Sequence, residues 1–201
     1  MDNNQETHRN KKDAFELKQQ EKQKLQEAKN RKRILKKVFV WILSIAVAGL
    51  LVYGVIFYAN QAEKNNPGEQ FNILGREHIQ NGATHSQYNS NPPTSGWHYS
   101  QPANFGVYKQ ELPDENILHN LEHGGIWISY KPDIDEDIKS KLEDIGKNNS
   151  GSVVVSPRAA NDSNIAVASW GRLLKLDNID ENQIKLFIKM NKNRSPEPLA
   201  K

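Results

Sequence analysis

Residues 38–59, VFVWILSIAVAGLLVYGVIFYA, form an uncharged apolar run of 22 residues. A helix rising about 1.5 Å per residue over that length crosses a hydrocarbon core of roughly 30 Å. The apolar core of a cleaved signal peptide is shorter, about 7–15 residues, and lies near the start of the chain. Here 37 mostly polar residues come first. The run therefore reads as an uncleaved anchor, with Trp41, Tyr53 and Tyr58 near its ends as interfacial aromatics.

The flanks set the expected orientation. Arg31, Lys32, Arg33, Lys36 and Lys37 precede the run, and only Lys64 follows it before residue 76. The positive side stays in the cytoplasm, so residues 1–37 are expected inside and 60–201 outside, in a single-pass protein of the cell membrane. Residues 1–37 carry 12 Lys/Arg against 6 Asp/Glu, whereas residues 60–201 carry 15 against 18. The basic excess thus belongs to the tail, where it holds orientation and meets anionic lipid. No nucleic-acid partner is expected.

The chain has no cysteine. Disulfides, thiol redox chemistry and thiolate metal sites are excluded. Met190 is the only methionine besides Met1, so a methionine-rich copper(I) site is excluded as well. Any metal must be held by His, Asp or Glu.

The order of elements predicts an α+β protein. Residues 1–37 read as a charged helical tail, 38–59 as the transmembrane helix, 60–75 as a polar linker, 76–193 as the extracytoplasmic domain and 194–201 as a flexible tail. Residues 78–113 are rich in Pro, Gly, Asn and Ser yet hold Tyr88, Trp97, Tyr99, Phe105 and Tyr108, which predicts a long ordered loop region. A short helix capped by Asp114 follows and stops at Gly124–Gly125. Strands are expected at 126–130, 152–156 and 164–176, the last a longer strand or a strand pair with a bend at Gly171. Helices are expected over DEDIKSKLEDIG and, after Asp180, ENQIKLFIKMN. Helices would pack on a small mixed sheet. The latter half is similar in element order to the end of a thioredoxin-like fold, a likeness that carries no function without cysteines.

Five of six histidines, His78, His85, His98, His119 and His123, fall within 46 residues of the outer part. His119 and His123 stand four apart on the expected helix, about 40° apart on one face. That spacing lets two imidazoles share one ion. Glu122 flanks them as a ligand or as the acceptor that fixes an imidazole tautomer. His98, held by the preceding PPTSG turn, is the best third ligand, then His78, with His85 the weakest. Trp97, Tyr99 and Trp127 are expected to wall the pocket. H-x-x-E-H also matches an inverted zinc-protease pattern, but the short helix closed by two glycines suits it poorly. A serine-type site at Ser95 or Thr94 beside His98 is more simply a turn.

The stretches YNSNPPTSGWHY, FGVY, ILHNLEHGGIWISY and SWGR together resemble a bacterial family of unknown function. Its members are single-pass membrane proteins whose exported domain carries PPTSGxH and H-x-LEHG. The resemblance covers residues 76–190 and implies that His98, His119, Glu122, His123 and His78 belong to the family pattern. Trp97 stands where that pattern often has Pro.

The leading expectation is a membrane-anchored domain that binds one divalent ion, zinc or copper, through the histidine cluster. One rival is a non-enzymatic module that docks a protein or envelope component, with structural histidines. The other is a metal-dependent hydrolase with Glu122 as base, which requires that carboxylate in an open, wet cleft.

Overall fold

The computed structural model describes residues 3–199. The chain divides into two compact units, Met1–Lys64 and Asn65–Lys201. The first is a single helix, α1 (Asn3–Lys64). The charged tail and the apolar run are therefore one continuous helix, which among the described residues is the one long and apolar enough to cross a membrane. Phe39, Trp41, Leu50 and Tyr58 along it are exposed, a surface that calls for an apolar surrounding.

The second unit runs β1 (Glu69–Gln70), β2 (His78–Ile79), β3 (His98–Tyr99), β4 (Gly106–Val107), α2 (Asp114–Glu122), β5 (Ile126–Tyr130), α3 (Glu136–Lys147), β6 (Val153–Pro157), β7 (Ile165–Ser169), β8 (Arg172–Leu176) and α4 (Glu181–Asn191). Six strands form one sheet in the order β1-β8-β7-β5-β6-β4. β6 is parallel to β4 and β5, and the remaining pairs are antiparallel. This is the α+β architecture expected, with a mixed sheet packed by helices. The 164–176 stretch is a hairpin, in which Ser169 pairs with Arg172 around Trp170–Gly171.

Strand alternation divides the core into two layers. Ile126, Ile128 and Tyr130 face α3 and α4, packing with Leu142, Ile145, Ile184, Phe187 and Ile188. Trp127, Val154, Ala166 and Ala168 face the other way, against Ile117, Leu118 and Leu121 of α2. Successive strand residues point to opposite faces, so a sheet covered on both sides reads as continuous apolar runs. α3 is capped by Asp135, whose carboxylate accepts from the Asp137 amide at 2.8 Å. α4 is capped by Asp180 at the Gln183 amide, 3.0 Å.

Three boundaries differ from the sequence reading. Asn66 lies inside the expected linker, yet it is buried and exchanges side-chain hydrogen bonds of 2.8 Å with Asn191. β1 then joins the sheet beside β8. Asp114 makes no cap bond; its carboxylate takes two hydrogen bonds from Arg158, at 2.7 and 2.8 Å. The tail expected to be flexible is tied down through residue 199: the Glu197 amide donates to Glu122 O and the Leu199 amide to His123 O.

Arg158 is a hub. Besides Asp114, it donates to Asn91 Oδ1 at 2.5 Å and Asn161 Oδ1 at 3.1 Å, and its guanidinium lies 5.8 Å from the Trp127 ring centroid. It thereby joins the long loop, the start of α2 and the sheet. An ammonium cannot reproduce this planar fork. Arg158→Lys is expected to destabilise the domain by about 2 kcal/mol, because it leaves the buried Asn161 and the partly buried Asp114 and Asn91 short of a donor. Denaturant unfolding followed by tryptophan fluorescence measures it, and an unchanged midpoint would contradict the assignment.

Candidate metal centre

The site is built on the side of α2 turned away from the core. Ile117, Leu118 and Leu121 fix the buried face of the helix. His119, Glu122 and His123 then project together from the other side. The helix ends in a Schellman motif: the Gly125 amide donates to Asn120 O at 2.8 Å and the Gly124 amide to Leu121 O at 3.0 Å. Gly124 has φ +83°, and a Cβ there would stand 2.7 Å from Asn193 Cα. The double glycine thus ends the helix and lets the C-terminal segment pass close by.

The long loop supplies the rest. β2 and β3 pair in parallel with His78 opposite His98, and the two rings meet edge to face at 4.8 Å. His98 is fully buried. The turn before it is held by the Leu74 amide donating to Ser95 Oγ, the Gly96 amide to Gly75 O and the Gly171 amide to Thr94 O. Gly96 has φ +115° and passes so near Tyr88 that a Cβ would meet its ring at 3.2 Å. The Tyr88 hydroxyl donates to Trp97 O at 2.6 Å. Burial, aided by Glu115 and Asp114, pushes that phenol far above its usual pKa, so it remains a donor.

Three imidazoles share one hydrogen-bonding pattern. Nδ1 of His98 donates to Gly96 O at 2.7 Å, Nδ1 of His119 to Tyr99 O at 2.7 Å, and Nδ1 of His123 to Glu197 O at 3.2 Å. A carbonyl only accepts, so each Nδ1 carries the proton and each Nε2 in the neutral ring carries a lone pair. Those Nε2 atoms face other lone pairs. His98 Nε2 lies 3.0 Å from Glu122 Oε2, and His119 Nε2 lies 2.8 Å from His123 Nε2. Each contact requires a proton or a cation between its atoms.

Ligand atoms of His78, His98 and His119 lie within 4.8 Å of one another, as do those of His119, Glu122 and His123. Both groups have the residue types and closeness to hold a metal ion. His78 Nε2 is 3.8 Å from Glu122 Oε2. The Glu122 carboxylate is buried, its other oxygen 4.0 Å from Arg76 Nε. Walled in this way, it does not stand in the open cleft that a hydrolytic base requires.

Sequence reasoning and structure part on the aromatics. Trp127 does not line the site; it is fully buried under α2, with Nε1 donating to Ser156 Oγ at 3.0 Å. Strand alternation turns it to the apolar face of the helix, away from the imidazoles. The Trp97 ring stacks on His85 at 5.9 Å, and His85 sits with Glu115 and Tyr88 apart from the other four. Tyr99 serves through its carbonyl. The aromatic against His98 is Trp170, edge-on at 6.2 Å and delivered by the β7–β8 turn. Arg76, Glu197 and Trp170 were not foreseen as site residues; only SWGR, among the stretches already singled out, pointed to one of them.

Burial, followed by the neighbouring His123, His98 and His78, lowers the pKa of His119 below 6.5, against the opposing pull of Tyr99 O. Without metal, His119 is expected to titrate below the ordinary histidine range and to stay in the Nδ1–H tautomer. Since the unfolded chain protonates first, this group removes stability as pH falls through about 6.5. Ring-nitrogen NMR checks both points, and an Nε2–H tautomer or a raised pKa would contradict the geometry.

No curated protein and no solved structure matches the chain. A family profile described as "Protein of unknown function (DUF3105)" matches residues 78–201, more than half of the sequence. The match opens at His78 and takes in all four clustered histidines and Glu122. The chain belongs to the DUF3105 family.

Proposed function

We propose that the protein is a membrane-anchored, extracytoplasmic domain that binds one divalent ion, zinc or copper(II). α1 is the anchor, and the basic residues before its apolar stretch keep the N-terminal side in the cytoplasm. His98, His119, His123 and Glu122 are the ligands, joined by His78 at the exposed edge.

One observation supports this reading above the rest. Two close contacts, His98–Glu122 and His119–His123, bring acceptor to acceptor, while all three Nδ1 atoms are committed to carbonyls. Each of the two contacts needs a proton or a cation between its atoms. One divalent cation serves both. Two imidazoles on one zinc ion, each about 2.0–2.1 Å from it, stand roughly 3.3 Å apart; the His119 and His123 nitrogens stand at 2.8 Å, so the rings part slightly to admit the ion. A carbonyl on the far ring nitrogen is the usual support of a ligating histidine.

The test is elemental analysis of the full chain, purified in detergent without chelator and incubated with zinc or copper(II). The expected result is about one equivalent of metal, lost in His119→Ala and kept in His85→Ala, whose ring lies outside the cluster. No metal in the unsubstituted protein would overturn the proposal.

A further inference from the structure

The C-terminal segment beside the cluster reads Ser195-Pro196-Glu197-Pro198-Leu199. Prolines alternate with residues that keep an amide, and both of those amides are used. Glu197 N–H donates to Glu122 O at 3.2 Å and Leu199 N–H to His123 O at 2.9 Å. Glu197 O in turn accepts the Nδ1 proton of His123 at 3.2 Å, and its carboxylate reaches Arg76 Nη1 at 3.5 Å. Proline has no N–H to leave unpaired, and its fixed φ lowers the entropy lost when such a strap docks. Burial does little to hold it, because Pro196, Glu197, Pro198 and Leu199 are all exposed. The strap is thus a weakly held element, and its backbone bonds end on two residues of the cluster.

We infer that the strap and the bound ion hold one another: docking of residues 195–199 completes the metal centre, and loading of the ion locks the strap. This rests on the metal-binding reading above, in which His123 is a ligand, and adds the regulation of that site. The His123 ring is the link. An ion on Nε2 draws electron density from the imidazole and makes Nδ1–H a charge-assisted donor, which strengthens its bond to Glu197 O. The carbonyl in turn fixes the ring and raises the basicity of Nε2. The carbonyls that orient His98 and His119 belong to Gly96, in the turn before β3, and to Tyr99, in β3 itself. That of His123 belongs to a segment able to leave. With the strap away the His123 ring turns freely and the ion exchanges; with the strap docked the ion is retained. The factor by which the strap raises affinity for the ion equals the factor by which the ion stabilises the docked strap.

Copper(II) chloride is the probe, because copper(II) binds nitrogen ligands at least as tightly as zinc. The full chain in detergent and a variant ending at Arg194 are compared by competition titration. The C-terminal peptide of the full chain is followed by hydrogen–deuterium exchange with and without copper. Both proteins are expected to bind one equivalent, the shortened one with affinity lowered roughly tenfold or more. Copper is expected to slow exchange at the Glu197 and Leu199 amides by about the same factor. A strap that only supports the fold would exchange at one rate with and without the ion. Equal affinity in the two proteins, or exchange unchanged by copper while one equivalent is bound, would overturn the coupling and leave the metal centre standing. No copper bound by the full chain would remove both. The exchange measurement decides the matter even if the shortened variant fails to fold.

Discussion

Lone pairs facing lone pairs are the constraint on which this domain turns. Gly96, Tyr99 and Glu197 offer carbonyls that take the Nδ1 protons of three imidazoles, and the opposite nitrogens are then fixed as acceptors. The rest of the second unit holds these partners in place. The Schellman turn at Gly124–Gly125 brings the chain near Asn193, and the C-terminal segment lies along the last residues of α2. Arg158 ties the long loop to the start of the same helix. Burying ring nitrogens and a carboxylate together costs stability unless each is paired. The fold supplies half of the pairs from its backbone, and a cation supplies the remainder in the proposed function.

Much of this was legible in the sequence, because much of it is local. The apolar run, the helix after Asp133, the helix capped by Asp180 and the glycine stop after His123 are short-range signals, read from propensity and capping, although Asp135, expected inside its helix, caps it. The i,i+4 pair His119 and His123 could be read from helical geometry alone. What escaped depends on pairing across distance. The β2–β3 bridge is two residues long, too short to leave an alternating pattern, yet it sets His78 beside His98. Asp114 looked like a helix cap because nothing nearby in sequence announces Arg158. Trp127 looked like a pocket wall because it follows the histidines closely, whereas strand alternation sends it into the core.

The C-terminal segment carries a related lesson. Its composition, RSPEP, reads as loose chain, and residues with few apolar side chains seldom order themselves. Here the order comes from the other side. The last carbonyls of a helix lack intrahelical partners, and the amides of Asn193, Glu197 and Leu199 satisfy those of Gly124, Glu122 and His123. The segment in turn offers the carbonyl that orients His123. A helix end and an unremarkable tail thus complete one another, and both contribute to the site.

X-ray absorption at the zinc and copper edges, on the full chain in detergent, examines the central claim most directly. The expected first shell is nitrogen and oxygen at about 2.0–2.2 Å, with the outer-shell scattering of at least two imidazoles. A metal found only in a fully hydrated shell without imidazole scattering, or no bound metal at all, would contradict it.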